Sequence, residues 1–272
     1  MSYQLEDLLY LMQRLRDPEH GCPWDLKQSF ASIAPHTLEE AYEVADAIAA
    51  GDHAQLAGEV GDLLFQVVYY AQLGQEAGLF GWNEVVDGIT RKLVRRHPHV
   101  FPDGNLRTPP GTLKLDEGQI SERWEQIKAE ERAERAGEPR QLSLLDDVPR
   151  ALPALSRAQK LQKRAAAEGF DWDSVGPVID KISEELQEVR EAIGRRDQEQ
   201  IGEEIGDLLF AMVNLARHLK VDAETALRGG NEKFERRLRF IETRLREEGK
   251  VFAETDLQDL DSLWDEAKRQ GL

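Results

Sequence analysis

Glu59-Val-Gly-Asp-Leu-Leu-Phe65 and Glu204-Ile-Gly-Asp-Leu-Leu-Phe210 are one phrase written twice, and its reading decides the fold. Each copy places acids at i and i+3, which share a helix face, and runs directly into apolar residues. Twenty residues before Glu59 stands Glu39-Glu40-x-x-Glu43, and twenty before Glu204 stands Glu184-Glu185-x-x-Glu188. On a helix Glu185 and Glu188 point together, and Glu184 with Glu188 makes an overlapping pair. If the two acidic helices of a half are antiparallel neighbours, several carboxylates converge between them. Such crowding destabilises a fold unless cations intervene or some acids protonate. Acidic helix faces are more often solvated and paired with Lys or Arg. Recurrence inside an apolar segment favours a metal site in at least one half. Oxygen-only ligation suits magnesium, with manganese as a substitute, better than zinc.

The duplication makes two domains the expected count for 272 residues. A hydrophobic fraction of 40% with 32% charged residues is that of a surface-rich helical protein. A net charge of −17 argues against general nucleic-acid binding, which needs a basic face. It leaves a nucleotide ligand open, because metal can mediate between acids and phosphates. Cys22 is the single cysteine, which excludes an intramolecular disulfide, thiolate metal clusters and a CxxC redox pair. With no apolar run of membrane-spanning length and no secretory h-region, a cytoplasmic location is expected.

Periodicity predicts an all-α class, with helices over 4–16, 37–50, 53–77, 82–96 and 120–136, and again over 174–193 and 197–220, while 256–269 closes the chain with Trp264. Thr37 with Glu40 reads as a capping box opening the first acidic helix. Gly58 and Gly61 cost roughly 1 kcal/mol each inside a helix, and close helix–helix approach is the expected return. Residues 222–247 read as a short helix, a break near Gly229-Gly230 and a long basic helix; 98–119 reads as a loop. The expected domains are 1–136 and 154–272, joined by a Pro-, Gly- and charge-rich linker over 137–153. Leu63, Leu64, Phe65, Val67 and Val68, and likewise Leu208, Leu209, Phe210, Met212 and Val213, are expected to supply multi-helix cores. The offset between copies is 148 at Trp24/Trp172, 145 at the acids, 141 at Lys92/Lys233 and 140 at Trp124/Trp264. Small indels between collinear features are what a diverged duplication leaves.

A basic constellation follows each acid pair. Asn231-Glu-Lys233-Phe-Glu-Arg236-Arg237 sets Lys233 and Arg237 at i and i+4, able to clamp phosphate oxygens, with Asn231 beside them. The first half keeps the Lys92–Arg96 spacing but has Thr90 where Asn231 aligns. Basic residues near a helix end are equally read as solvated or as paired with local Glu. Trp24 and Trp172 are expected in the core, whereas Trp264 is a candidate wall beside a ligand. His97-Pro-His99 is read as a polar turn in preference to a metal ligand.

These motifs resemble the MazG nucleoside triphosphate pyrophosphohydrolases of the all-α NTP pyrophosphatase superfamily. The acid pattern is intact in both halves, and Gly21-Cys-Pro-Trp-Asp25, Lys92-Leu-Val-Arg-Arg-His-Pro-His-Val-Phe101 and Asn231-x-Lys-Phe-x-x-Arg237 resemble the family's longer signatures. The resemblance implies two tandem domains with four-helix cores, commonly completed by homodimerisation. It implies magnesium-dependent cleavage between the α and β phosphates to monophosphate and pyrophosphate, broad in base specificity. Metal would be held by Glu185, Glu188, Glu204 and Asp207, and in the first half by Glu40, Glu43, Glu59 and Asp62. Glu184 and Glu185, with Lys233 and Arg237, form the implied catalytic set; Lys181, Asn231, Lys233, Arg237 and Trp264 form the implied substrate set. Glu39 occupies the position of Glu184.

The expected chemistry is attack of a metal-activated water on a phosphoryl group. The second half is the expected centre of turnover, because Asn231 accompanies its basic pair. The alternative is a nucleotide-binding regulatory or interaction protein with little turnover. A di-iron carboxylate bundle is disfavoured because Glu-x-x-His elements are missing. The expected partners are nucleoside triphosphates and a second copy of the chain, with no membrane and no stable nucleic-acid complex.

Overall fold

A computed structural model describes residues 2–107, 109, 115–116, 118–120, 123–124, 126–127, 130–131, 143–146 and 148–272. Among these residues the chain is helix and turn, with no strand. It divides into two compact units, Met1–Gly137 and Glu138–Leu272.

In the first unit the helices are α1 (Leu5–Leu15), α2 (Phe30–Ala50), α3 (His53–Glu76) and α4 (Trp82–Arg96). Helices α2 and α3 form a hairpin, and α1 and α4 each pack on α3. The core gathers where they meet: Met12 of α1, Ile33 of α2, and Val68, Tyr69 and Leu73 of α3, with Leu8, Leu9, Phe65, Tyr70 and Trp82 packed around them. Ile120, Trp124, Ile127 and Glu131 are helical; the remainder of the expected 120–136 helix lies partly outside the described residues.

The second unit repeats the plan with α5 (Ala154–Ala167), α6 (Val175–Arg195), α7 (Gln198–His218), α8 (Ala223–Glu247) and α9 (Leu257–Arg269). Here α6 and α7 form the hairpin, α5 and α8 pack on α7, and α9 packs on α8. Val178, Val189, Ala192, Val213, Ile241, Leu245 and Ala267 are buried. Residues 137–142 and 147 of the expected linker lie outside the described residues, and Pro153 precedes α5.

Both hairpins turn in the same way. Gly51 ends α2 in the left-handed region at φ 69°, and Arg196 ends α6 there at φ 58°. The next residue caps the returning helix: Asp52 accepts from the Ala54 and Gln55 amides, and Asp197 from the Gln200 amide.

Several sequence expectations are corrected. Helix α2 begins at Phe30, capped by Ser29. Thr37 is interior, donating from Oγ1 to the Ile33 carbonyl at 3.3 Å and lying 2.8 Å from the Tyr70 hydroxyl. Pro35 sits in the second turn, where it cannot donate a helical N–H, while the extra length buries Ile33. Helix α8 runs unbroken through Gly229-Gly230. Its continuity is supported by the Asp222 cap and by Glu224–Arg228, Glu232–Arg236 and Glu235–Arg239 pairs at i,i+4. A Cβ built at Gly58 or Gly61 meets nothing within 4 Å, so these glycines serve no close approach within the unit. Trp24 and Trp172 are 53% and 43% exposed, because each lies in the turn segment ahead of its acidic hairpin and outside the core. Leu64, Val67, Leu209, Phe210 and Met212 are also exposed, so α3 and α7 carry more apolar surface than their own unit covers.

Candidate active site

Each hairpin brings three carboxylates together. One oxygen from each of Glu40, Glu43 and Glu59 lies within 4.8 Å of the others, and Glu185, Glu188 and Glu204 do the same. Two acids come from one turn of the outgoing helix, and the capped turn returns the third at their level. Glu185 is 5% exposed, while Glu188 and Glu204 are half-buried. In the first unit Glu40 and Glu59 are half-buried and Glu43 is exposed. Asp62 and Asp207 lie one turn further along, exposed and outside the clusters. Glu39 and Glu184 also stay outside them: Glu184 pairs with Lys181 and Glu39 lies 3.5 Å from His36 Nδ1.

The clusters are electrostatically tense. Lost hydration, then repulsion from Glu59 and Glu40, raises the Glu43 carboxyl above the ordinary glutamate range. Glu188 is raised in the same way, by lost hydration first and then by Glu185 and Glu204. In the second unit Lys181 supplies a counter-charge, its Nζ 2.8 Å from Glu185 and 2.9 Å from Glu184. These two carboxylates, Glu185 foremost, hold its ammonium above the usual lysine range. Hard oxygen donors at this spacing suit a divalent cation such as magnesium.

The basic residues lie on the helix packed against each hairpin's second strand of helix, α8 on α7 and α4 on α3. Asn231 and Lys233 are exposed and have no side-chain hydrogen bond or ion pair among the described residues. Arg237 donates from Nε to the Leu272 main-chain oxygen at 2.8 Å, and its guanidinium lies 5.1 Å over the Trp264 ring. Phe234 completes that aromatic group, 5.5 Å from Trp264. In the first unit Lys92 is exposed, while Arg96 donates to Glu131 from Nε at 3.2 Å and from Nη2 at 2.5 Å. Trp124 donates from Nε1 to the Arg96 carbonyl at 2.7 Å. His97 bonds the Leu93 carbonyl at 2.6 Å and packs edge-on against Trp124, as the polar-turn reading expected.

Sequence reasoning missed the contacts that pin the Trp segments. Asp171 receives a two-pronged bond from Arg217, at 2.9 and 2.5 Å, and lies 3.0 Å from His218 Nε2. Hydrogen bonding from Arg217 lowers its carboxyl to about 2. In the first unit Arg16 bonds Glu76 at 2.6 Å and also the Asp25 carbonyl. The Tyr69 hydroxyl lies 3.0 Å from that carbonyl and is pushed up to about 12, chiefly by burial. Gln66, whose counterpart at the 145-residue offset is Ala211, reaches Glu40 at 3.5 Å. Only the basic Arg217-His218 pair in the last turn of α7 could have hinted at any of these.

Comparison with known proteins agrees with this architecture. The profile of the MazG nucleotide pyrophosphohydrolase domain matches residues 28–101 and 176–240. The nucleoside triphosphate pyrophosphohydrolase of Escherichia coli (strain K12) is 54% identical over 98% of each chain. The nucleoside triphosphate pyrophosphohydrolase/pyrophosphatase MazG of Thermotoga maritima is 39% identical over 97% of this chain and 95% of its own. The Bacillus subtilis protein YabN, whose function is uncharacterised, is 43% identical over 95% of this chain and half of its own length.

Proposed function

The chain belongs to the MazG nucleotide pyrophosphohydrolase family, and from that premise we propose that it is a magnesium-dependent hydrolase of nucleoside triphosphates. It releases the nucleoside monophosphate and pyrophosphate, with broad base specificity. The observation that carries this reading is the three-carboxylate cluster formed by Glu185, Glu188 and Glu204. These acids would hold magnesium, with Asp207 joining by its place in the motif. Bound magnesium would lower the pKa of a water and polarise phosphate oxygens. Glu184, next to the cluster and exposed, orients the attacking water or takes its proton. Lys181 is ion-paired with Glu184 and Glu185 and would bind the substrate from the same helix. Lys233 and Arg237 supply fixed positive charge to the phosphates, Asn231 adds a hydrogen bond, and Trp264 walls the nucleotide.

Glu40, Glu43, Glu59 and Asp62 form the corresponding set in the first unit. The second unit carries more of the turnover, because only there do Asn231 and an arginine whose Nη groups make no hydrogen bond among the described residues occur together. We assign the domains as 1–136 and 154–272, with 137–153 between them. The exposed Leu64, Val67, Leu209, Phe210 and Met212 support a homodimer in which a second copy covers α3 and α7. No helix among the described residues is long and apolar enough to cross a membrane, and a cytoplasmic location accords with that and with the nucleotide substrates. The net charge of −17 favours no stable nucleic-acid complex.

Labelled triphosphate tests the reaction. Monophosphate and pyrophosphate are expected, only with magnesium or manganese, from several ribo- and deoxyribonucleotides. Nucleoside diphosphate with orthophosphate would refute it, and binding without product would make the chain a nucleotide sensor.

A further inference from the structure

The two units treat their equivalent arginines differently. Arg96 and Arg237 stand 141 residues apart, and so do the residues that hold them, Glu131 and Leu272. In the second unit the contact is one bond from Nε to a main-chain oxygen, and the guanidinium lies over Trp264. The Nη groups of Arg237 make no hydrogen bond among the described residues, so they remain available to an anion. In the first unit the Glu131 side chain takes the same place and engages more of the guanidinium. Glu131 receives both Nε and Nη2 of Arg96, and the pair is secluded, with side chains 19% and 11% exposed for Arg96 and Glu131. This two-pronged geometry is the one an arginine offers to a phosphate. Held there by two bonds, Glu131 occupies an Nη donor that the single Leu272 contact leaves open on Arg237. Trp124 reinforces the arrangement by bonding the Arg96 carbonyl.

We propose that Glu131 is a specificity-determining residue of the first unit: as an internal phosphate mimic on Arg96, it lowers that unit's affinity for the triphosphate tail. The proposal rests on the reading of Arg237, and by alignment Arg96, as a phosphate-binding arginine. It would give the higher turnover proposed for the second unit a cause away from the metal ligands. The first unit then favours nucleotides bearing fewer phosphates, whose binding depends less on this arginine.

The test uses the full chain with its second site disabled by Glu204→Gln and Arg237→Gln. Magnesium with adenosine α,β-methylene triphosphate is titrated by calorimetry, and the monophosphate in parallel. Glu131→Gln is expected to tighten triphosphate binding by about tenfold or more and to leave monophosphate binding unchanged. The paired Glu131→Gln/Arg96→Gln variant, in which two amides replace the ion pair, is expected to match the parent. An unchanged triphosphate affinity in a folded Glu131→Gln variant overturns the proposal. So does a tenfold loss in the paired variant, which would mean that Arg96 already serves phosphate; that arm decides the matter even if Glu131→Gln does not fold. Arg237→Gln alone, in the otherwise unaltered chain, separates the two readings. If it fails to weaken triphosphate binding, the phosphate reading of this arginine falls, and this inference with it. If it weakens binding while Glu131→Gln tightens nothing, only the role of Glu131 falls.

Discussion

Glu188 stands between Glu185 and Glu204 with its carboxyl raised by lost hydration and by their charges, which marks strain in the metal-free cluster. Glu188→Gln should therefore raise the thermal midpoint of the metal-free protein and reduce any further gain from magnesium. A fall in the metal-free midpoint would show that the repulsion is not felt. Glu185→Gln should cut turnover by about a hundredfold or more, and Glu40→Gln by much less; equal losses would defeat the ranking of the two units. Asp171 makes a pH prediction. Its folded pKa of about 2 lies below the unfolded value of about 3.9. Its bond to Arg217 thus stabilises the fold fully above the unfolded value and ceases to do so as pH falls through about 2. Unfolding midpoints of the parent and of Asp171→Asn should differ at neutral pH and converge towards that acid limit. The acids of the clusters were legible because helical spacing alone puts them on one face. Asp171, Gln66 and Glu131 were not, because each finds its partner 26 or more residues away, across a tertiary contact that no local pattern encodes.

At the scale of the element, helix α4 and the returning acidic helices were readable from apolar periodicity and their capping turns. The start of α2 was not, because Pro35 and the Thr37-x-x-Glu40 spacing imitate a helix entry. Burial of Ile33 and the Ser29 cap prevail over that imitation. Ser29→Ala should cost about 1 kcal/mol, measured by denaturant unfolding, whereas a cap at Thr37 would make it silent. The Gly229-Gly230 pair misled for a related reason: its intrinsic cost is real, yet it is spread over the 25-residue helix α8 with a cap and ion pairs. Gly229 is exposed, and an added Cβ there meets nothing within 4 Å. Gly229→Ala should accordingly stabilise the chain by up to about 1 kcal/mol; destabilisation would point to a role in the neighbouring site.

For the whole molecule, the duplication joins chemistry to stability, because each unit carries its own acid cluster. If both clusters take metal, magnesium should raise the unfolding midpoint through binding to the folded state. Glu40→Gln and Glu185→Gln should then each remove part of that gain, and the double variant all of it. A gain that survives the double variant would place the ion elsewhere. The Gly51-Asp52 and Arg196-Asp197 turns carry one more consequence. From the first acid through this turn to Asp62 and Asp207 the copies keep a single offset of 145, whereas before and after it their offsets drift to 148 and 141. A helix advances about 100° per residue, so one residue inserted at the turn would swing Glu59 or Glu204 to another side of its helix. The turn works as an escapement: the rest of each copy can gain or lose length, but here the chain must tick in whole, fixed steps, or the acids fall out of time.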